Sequence, residues 1–334
     1  MGFCINHNRF VPVELLDVAG LVPGAHEGKG LGNQFLDDLR QADVLIHVID
    51  ASGSTNEKGD NVPPLSYDPC NDIKFLENEL DMWILGLINK GWDKFVRQHA
   101  VDKEAVHKAV AKQLSGLGVN EDIAERVLKD FNSDLKTWSN DDLFKLAQSI
   151  RKITKPIIIA ANKLDINGAE RNLEMLKSKF PDYKIIPCSA DFELALREAS
   201  KLGLVNYIPG ESSFEIKGSV NEKQKLALEH IKNSFLDKFG NTGVQQVLNN
   251  AVLDLLDYIA IFPGGLNNLV DSQGRTLPDC FLMKKGSSAL DFAFKLHTDF
   301  GKNFIRAVDV KKRMTVGKDH ILNHRDVIEI ISGK

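Results

Sequence analysis

The stretch Ile157 to Asp165, Ile-Ile-Ile-Ala-Ala-Asn-Lys-Leu-Asp, constrains the fold of this chain more than any other. Introduced by Lys155-Pro156 and free of polar alternation, it reads as a strand buried on both faces of a parallel sheet. Its polar residues stand at the C-terminal end, where open α/β sheets bind their ligands. An Asp just past such a strand can accept two parallel N–H bonds. Guanine presents that pair in its imino N–H and exocyclic amine, and adenine does not. Facing adenine, the carboxylate would be desolvated and unpaired, at a loss of about 1–3 kcal/mol or more, so Asp165 would act as a discriminator. Asn162 would bind a purine nitrogen or brace the neighbouring loop, and the stem of Lys163 would cover one face of the ring. Taken alone, Asn-Lys-x-Asp reads equally well as a polar helix entry after a strand.

Upstream, Arg9 to Asp17 is a strand candidate whose Pro12 suits an edge. It ends in Asp17-Val-Ala-Gly20. An Asp at a strand tip followed by a Gly is how a nucleotide site holds a water on Mg²⁺ while a main-chain N–H reaches the terminal phosphate; Asp-x-x-Gly alone is also an ordinary strand-to-loop turn. The sequel from Gly20 to Gly32 holds five glycines in thirteen residues, which predicts a mobile loop of the kind a nucleotide switch requires. Asp43 to Asp50 is a second buried strand, and His47 within it reads as a core histidine. From Ile73 the rhythm becomes helical. Ile73, Leu76, Leu80, Trp83, Ile84 and Leu87 share one face, Asn120 can cap a later helix, and Ser139 with Asp142 makes a capping-box start to another. About 80 residues of helix between two strands of one sheet amount to an inserted domain. Tyr183 to Ala190 is the next strand, and its terminal Ser189-Ala190 would meet a guanine carbonyl oxygen through main-chain N–H groups and the Ser189 hydroxyl.

Asn221 caps a helix running toward Gly240, and Val244 to Leu256 is another. From Leu277 short strands at Cys280–Met283, Ile305–Val308 and Val327–Ile331 surround one helix, a small α+β unit. This tail carries 11 Lys/Arg against 7 Asp/Glu, hence +4 against −8 for the remainder. A basic module on an acidic body points to a polyanionic partner, or to ordinary variation of surface charge. Four scattered cysteines without CxxC spacing indicate neither a zinc site nor a disulfide framework, and a reducing, cytoplasmic setting is expected. No apolar run reaches the roughly 18 residues of a membrane span, and the N-terminus lacks the pattern of a signal peptide.

Asp17-Val-Ala-Gly20, Asn162-Lys-Leu-Asp165 and Ser189-Ala190 stand in the order of the third, fourth and fifth motifs of a P-loop GTPase. The run Asp-Val-Ala-Gly-Leu-Val-Pro-Gly-Ala-His-Glu-Gly-Lys-Gly-Leu-Gly-Asn-Gln-Phe-Leu closely resembles the switch region of Obg-related GTPases, in the archaeal form of the YchF-type or Obg-like ATPase branch. The insertion and the final unit, which resembles a TGS domain of β-grasp fold, fit the same branch. The resemblance implies an α/β fold with a P-loop GTPase-like parallel sheet lacking its first strand, a helical insertion and a C-terminal α+β domain. It divides the chain into a G domain of residues 1–68 and 151–205, an insertion of 69–150, a helical connector of 206–276 and a TGS-like domain of 277–334. It implies GTP or GDP with Mg²⁺ as ligands, Asp17 contacting the ion through water, Gly20 sensing the γ-phosphate, and a ribosome or RNA partner. Leu21 stands where Ras-like enzymes place a water-orienting glutamine, which implies slow hydrolysis without help. Many members of the branch alter the fourth motif and prefer ATP; the intact Asn162, Lys163 and Asp165 favour GTP here.

The sequence contains no G-x-x-x-x-G-K-[ST] phosphate loop, whose amides and Lys supply most β- and γ-phosphate contacts. Family members carry that loop and its strand ahead of the equivalent of Phe10, so an N-terminally truncated chain is expected. A slot about two strand spacings wide, roughly 9–10 Å, is expected between the strands ending at Asp17 and Asp50. A non-catalytic ribosome- or RNA-binding adaptor is the rival reading from a different class.

Overall fold

The computed structural model describes residues 3–6, 8–18, 38–102, 104–266, 269–270, 274–277 and 279–333. The chain divides into two compact units, Leu16–Leu248 and a second made of Met1–Leu15 with Asn249–Lys334.

The first elements form a hairpin, β1 (Phe3–Ile5) and β2 (Asn8–Phe10), with Phe3 opposite Phe10 and their rings stacked at 5.2 Å. Residues 11–18 follow without regular structure and mostly exposed. The strand expected over Arg9–Asp17 is therefore limited to its first residues and pairs with its own neighbour rather than with the parallel sheet. Pro12 lacks an N–H donor, so a ladder cannot continue unbroken through this segment.

The parallel sheet is three-stranded, β3 (Leu45–Asp50), β4 (Ile157–Asn162) and β5 (Lys184–Pro187), with β4 in the centre. Its register sets Asp50 beside Asn162 and Ala161 beside Pro187, so all three chains leave the sheet on one side. Every residue of β4 but Asn162 is buried, as its unbroken apolar run requires. Leu45, Ile49, Ile157, Ile159 and Ile185 share a core with Ile73, Leu80 and Ile84 of the helix Cys70–Asn89 and with Leu146 and Ile150 of the helix Asn140–Thr154.

Two of the helices between β3 and β4 begin where the sequence signals them. Asn120 accepts from the Ile123 N–H at 2.8 Å, and Ser139 with Asp142 forms a complete capping box. The 3 % exposed Arg151 fixes the insertion's flanking helices to one another: its Nε lies 2.6 Å from Asp81 Oδ1 and its Nη2 3.1 Å from Glu77 Oε1. Beyond β5 come the helix Ala190–Lys201, a hairpin of β6 (Val205–Tyr207) and β7 (Phe214–Ile216), and the helix Glu222–Ile231.

The second unit holds a five-stranded sheet ordered β11 (Met314–Val316), β10 (Phe304–Asp309), β12 (Val327–Ser332), β8 (Tyr258–Pro263), β9 (Phe281–Lys284). Only the β12–β8 pairing is parallel. Phe292 of the helix Ala289–Leu296 is fully buried in its core with Ile261, Ala307 and Ile328. The strand Tyr258–Pro263 lies within the stretch expected as a helical connector. Among the described residues no helix is long and apolar enough to cross a membrane.

Candidate functional site

Three loops leave the C-terminal ends of β3, β4 and β5 side by side, and hydrogen bonds tie them together. Asn162 Oδ1 accepts from the Ala190 N–H at 2.9 Å, Leu164 N–H donates to Cys188 O at 3.2 Å, and Cys188 N–H donates to Ala161 O at 2.8 Å. The Asn-Lys-x-Asp and Ser-Ala segments are thereby one structural unit, and Asn162 braces the neighbouring loop. Asp165 sits half-buried at the tip of β4. Among the described residues its carboxylate has no hydrogen bond or ion pair, which leaves both oxygens able to accept from an incoming donor pair.

Lys163 adopts φ 62°, a left-handed conformation uncommon outside glycine. Its Nζ reaches the end of β3, 2.8 Å from Asp50 Oδ2, 3.1 Å from Thr55 Oγ1 and 3.4 Å from Ser54 Oγ. Asp50 also accepts from the Ser52 N–H and from the Ser52, Ser54 and Thr55 hydroxyls. Burial alone would raise the Asp50 carboxyl; the hydrogen bonds from Lys163, Ser52, Thr55 and Ser54 outweigh it and lower its pKa from 3.8 to about 2. These bonds anchor the Lys163 ammonium group at the end of β3. This cluster is not among the residues expected from sequence, although Asp50-Ala-Ser-Gly-Ser-Thr55 at a strand end carries its signal.

With a folded-state pKa below 3.8, the cluster contributes stability above about pH 4 and loses it as pH falls through about 2. The stability difference between the parent chain and Asp50→Asn, followed by urea unfolding, is expected to be full at about pH 5 and to shrink between about pH 4 and 2. A constant difference across that range contradicts the assignment.

The other residues singled out by sequence fare differently. Ser189 is fully buried; its hydroxyl accepts from Phe192 N–H at 3.3 Å as the cap of the helix Ala190–Lys201, and its N–H donates to Thr242 O at 3.0 Å. As an acceptor it satisfies one of the orphan amides of that helix start. Ala190 is exposed on the first turn. Asp17 is exposed, outside any regular element, and no hydrogen bond or ion pair among the described residues joins it to the strand ends. Gly20 and Leu21 lie outside the described residues. Among the described residues no three His, Cys, Asp or Glu side chains converge to hold a metal ion. His47 is half-buried within β3, outside the hydrophobic core, with burial lowering its pKa to about 4.

Comparison with known proteins adds family models to this geometry. Residues 160–264 match a model described as the Obg-like GTPase YGR210-like, G4 motif-containing domain; residues 273–332 match the TGS domain; residues 3–83 match a 50S ribosome-binding GTPase model. An uncharacterised GTP-binding protein of Methanocaldococcus jannaschii is 50 % identical over 98 % of this chain and 83 % of its own length. One of Schizosaccharomyces pombe is 36 % identical over 86 % of this chain and 73 % of its own. A crystal structure of a GTP-binding protein from Pyrococcus horikoshii superposes with a TM-score of 0.76 at 38 % identity, covering 99 % of this chain and 86 % of that one.

Proposed function

We propose, from the premise that this chain belongs to the Obg-like, YchF-type family of GTPases, that the loops at the ends of β3, β4 and β5 bind guanine. Asp165 accepts the imino and amino N–H pair, the stem of Lys163 covers a face of the base, and Asn162 with Ala190 holds the loop against it. Ser189 supports that loop from beneath. The observation that carries this reading is the Asp165 carboxylate, unpaired among the described residues at a strand tip that hydrogen bonds lock to the Ser189-Ala190 loop. Titrating fluorescent GDP against the protein tests it: saturable micromolar binding supports the reading, and no binding leaves the adaptor reading in its place.

In the intact family machinery Gly20 would sense the γ-phosphate, Asp17 would hold Mg²⁺ through water, and Leu21 would leave GTP hydrolysis slow without a stimulating partner. A bound ion would neutralise phosphate charge; the residues described here supply no step through it. An ATP-preferring chemistry is disfavoured because an ionised Asp165 has no donor pair to meet on adenine.

We further propose that the protein works at the ribosome in the cytoplasm, with the basic second unit touching RNA phosphate. Of the basic residues Lys284, Lys285, Lys311, Lys312 and Arg313, Lys312 is engaged by the buried Asp309 at 2.8 Å and Lys285 by Asp257 at 3.3 Å. Lys284, Lys311 and Arg313 are exposed. Replacing these three by Glu is expected to weaken ribosome co-sedimentation and to lower the slope of log affinity against log salt by about 2–3. Unchanged, salt-insensitive association contradicts an electrostatic role.

A further inference from the structure

The segment between the helix Glu222–Ile231 and the helix Val244–Asn249 closes on the back of the Ser189 loop. Ser189 N–H donates to Thr242 O at 3.0 Å, and Ser189 and Thr242 are both fully buried. The Thr242 hydroxyl donates to Glu193 Oε2 at 2.6 Å, and the Tyr207 hydroxyl donates to the same oxygen at 2.7 Å. Arg197 Nε donates to Glu193 Oε1 at 2.5 Å. A 4 % exposed carboxylate with three donors is a rigid post, since losing any one leaves buried charge undersatisfied.

Next to it Gly243 has φ 84° and no room for a side chain. A Cβ there would stand 2.0 Å from Pro187 O, 2.7 Å from Cys188 Sγ and 2.9 Å from Cys188 Cα. The turn that contains it is closed by the Gly243 N–H donating to Asn241 Oδ1 at 2.7 Å. Backbone thus lies directly on backbone at the end of β5, an approach only glycine permits.

We infer that the Asn241–Gly243 turn is a specificity-positioning element of the base site. Pressed on Pro187, Cys188 and Ser189, it fixes the loop whose Cys188 carbonyl holds Leu164, the neighbour of Asp165, and whose Ala190 N–H holds Asn162. Thr242 and Gly243 touch no ligand; they act through the height of the Cys188–Ala190 loop. The idea rests on the guanine reading and extends it, because a loop that sinks carries the Asp165 carboxylate out of line with two donors at once. Loss of alignment would tell on guanine and not on adenine, which that carboxylate does not bind.

The test uses the full chain with Thr242→Val, Thr242→Ser and Gly243→Ala. In Gly243→Ala, amide exchange at Leu164 and Ser189 is expected to rise while that of Ile158–Ala160 in the sheet interior holds. GDP affinity is expected to fall about tenfold with ADP affinity unchanged, as loss of one to two well-aligned hydrogen bonds implies. Thr242→Val shifts both readouts the same way by less, and Thr242→Ser, which keeps the hydroxyl, restores them. A folded Thr242→Val protein with parental loop exchange and parental GDP-over-ADP preference overturns the inference, even if Gly243→Ala fails to fold. A parent chain that does not prefer GDP over ADP is a failure of the guanine reading itself, visible before any variant is made, and overturns this inference with it.

Discussion

Asp165→Asn is expected to lower GDP affinity by about 10²–10³-fold and to raise affinity for xanthosine diphosphate relative to it. Two hydrogen bonds to a charged acceptor contribute about 1.5–3 kcal/mol each, and a tenfold change corresponds to 1.4 kcal/mol, so losing one and weakening the other gives that range. The amide keeps an acceptor for the imino N–H but sets an NH₂ against the guanine amine; xanthine offers a carbonyl there and meets it. Asp165 is half-buried and without partner among the described residues, so the exchange leaves no stranded group in the free protein. Competition titrations with both diphosphates measure the effect, and an unchanged preference removes Asp165 from the base site.

Arg151→Ala is expected to cost about 3–5 kcal/mol of unfolding free energy, the range for removing one partner of a buried ion pair. Arg151 and Asp81 are each 3 % exposed, and the guanidinium also meets Glu77 and, at 3.0 Å, the Tyr183 hydroxyl, which itself donates to Glu77. Without it the Asp81 carboxylate remains buried with only Gln148 at 3.4 Å. Protonating that carboxylate relieves the penalty, so the deficit should narrow as pH is lowered. Urea unfolding at neutral and mildly acidic pH measures both. A loss under about 1 kcal/mol, the scale of an exposed pair, contradicts the role assigned to Arg151.

Periodicity and cap chemistry made much of the scaffold legible. The unbroken run at Ile157 could be satisfied only by a strand covered on both faces, and Asn120, Ser139 and Asn221 declared helix starts because their side chains compete for local amides. The Arg9–Asp17 segment misled because an apolar strand pattern does not say which partner it will find. Tyr258–Pro263 escaped because a half-buried alternation directly after a helix has no turn residue to announce it beyond Asp257, at φ 53°.

At the site, the pattern named Asn162, Lys163 and Asp165, whose spacing follows from one strand end. It did not name Asp50, Glu193, Thr242 or Gly243, whose contacts join residues about 50 to 110 positions apart in sequence. Ser189 shows the converse limit: its place in a motif was readable, but that its hydroxyl serves the following helix depends on which amide reaches it first.

The central claim is that one carboxylate reads two adjacent donors of the base, and a graded ligand series tests it most directly. Displacement of fluorescent GDP by GDP, inosine diphosphate and ADP should follow that order, because inosine lacks only the exocyclic amine and adenine lacks the pair. Equal displacement by GDP and inosine diphosphate, or by GDP and ADP, would contradict it.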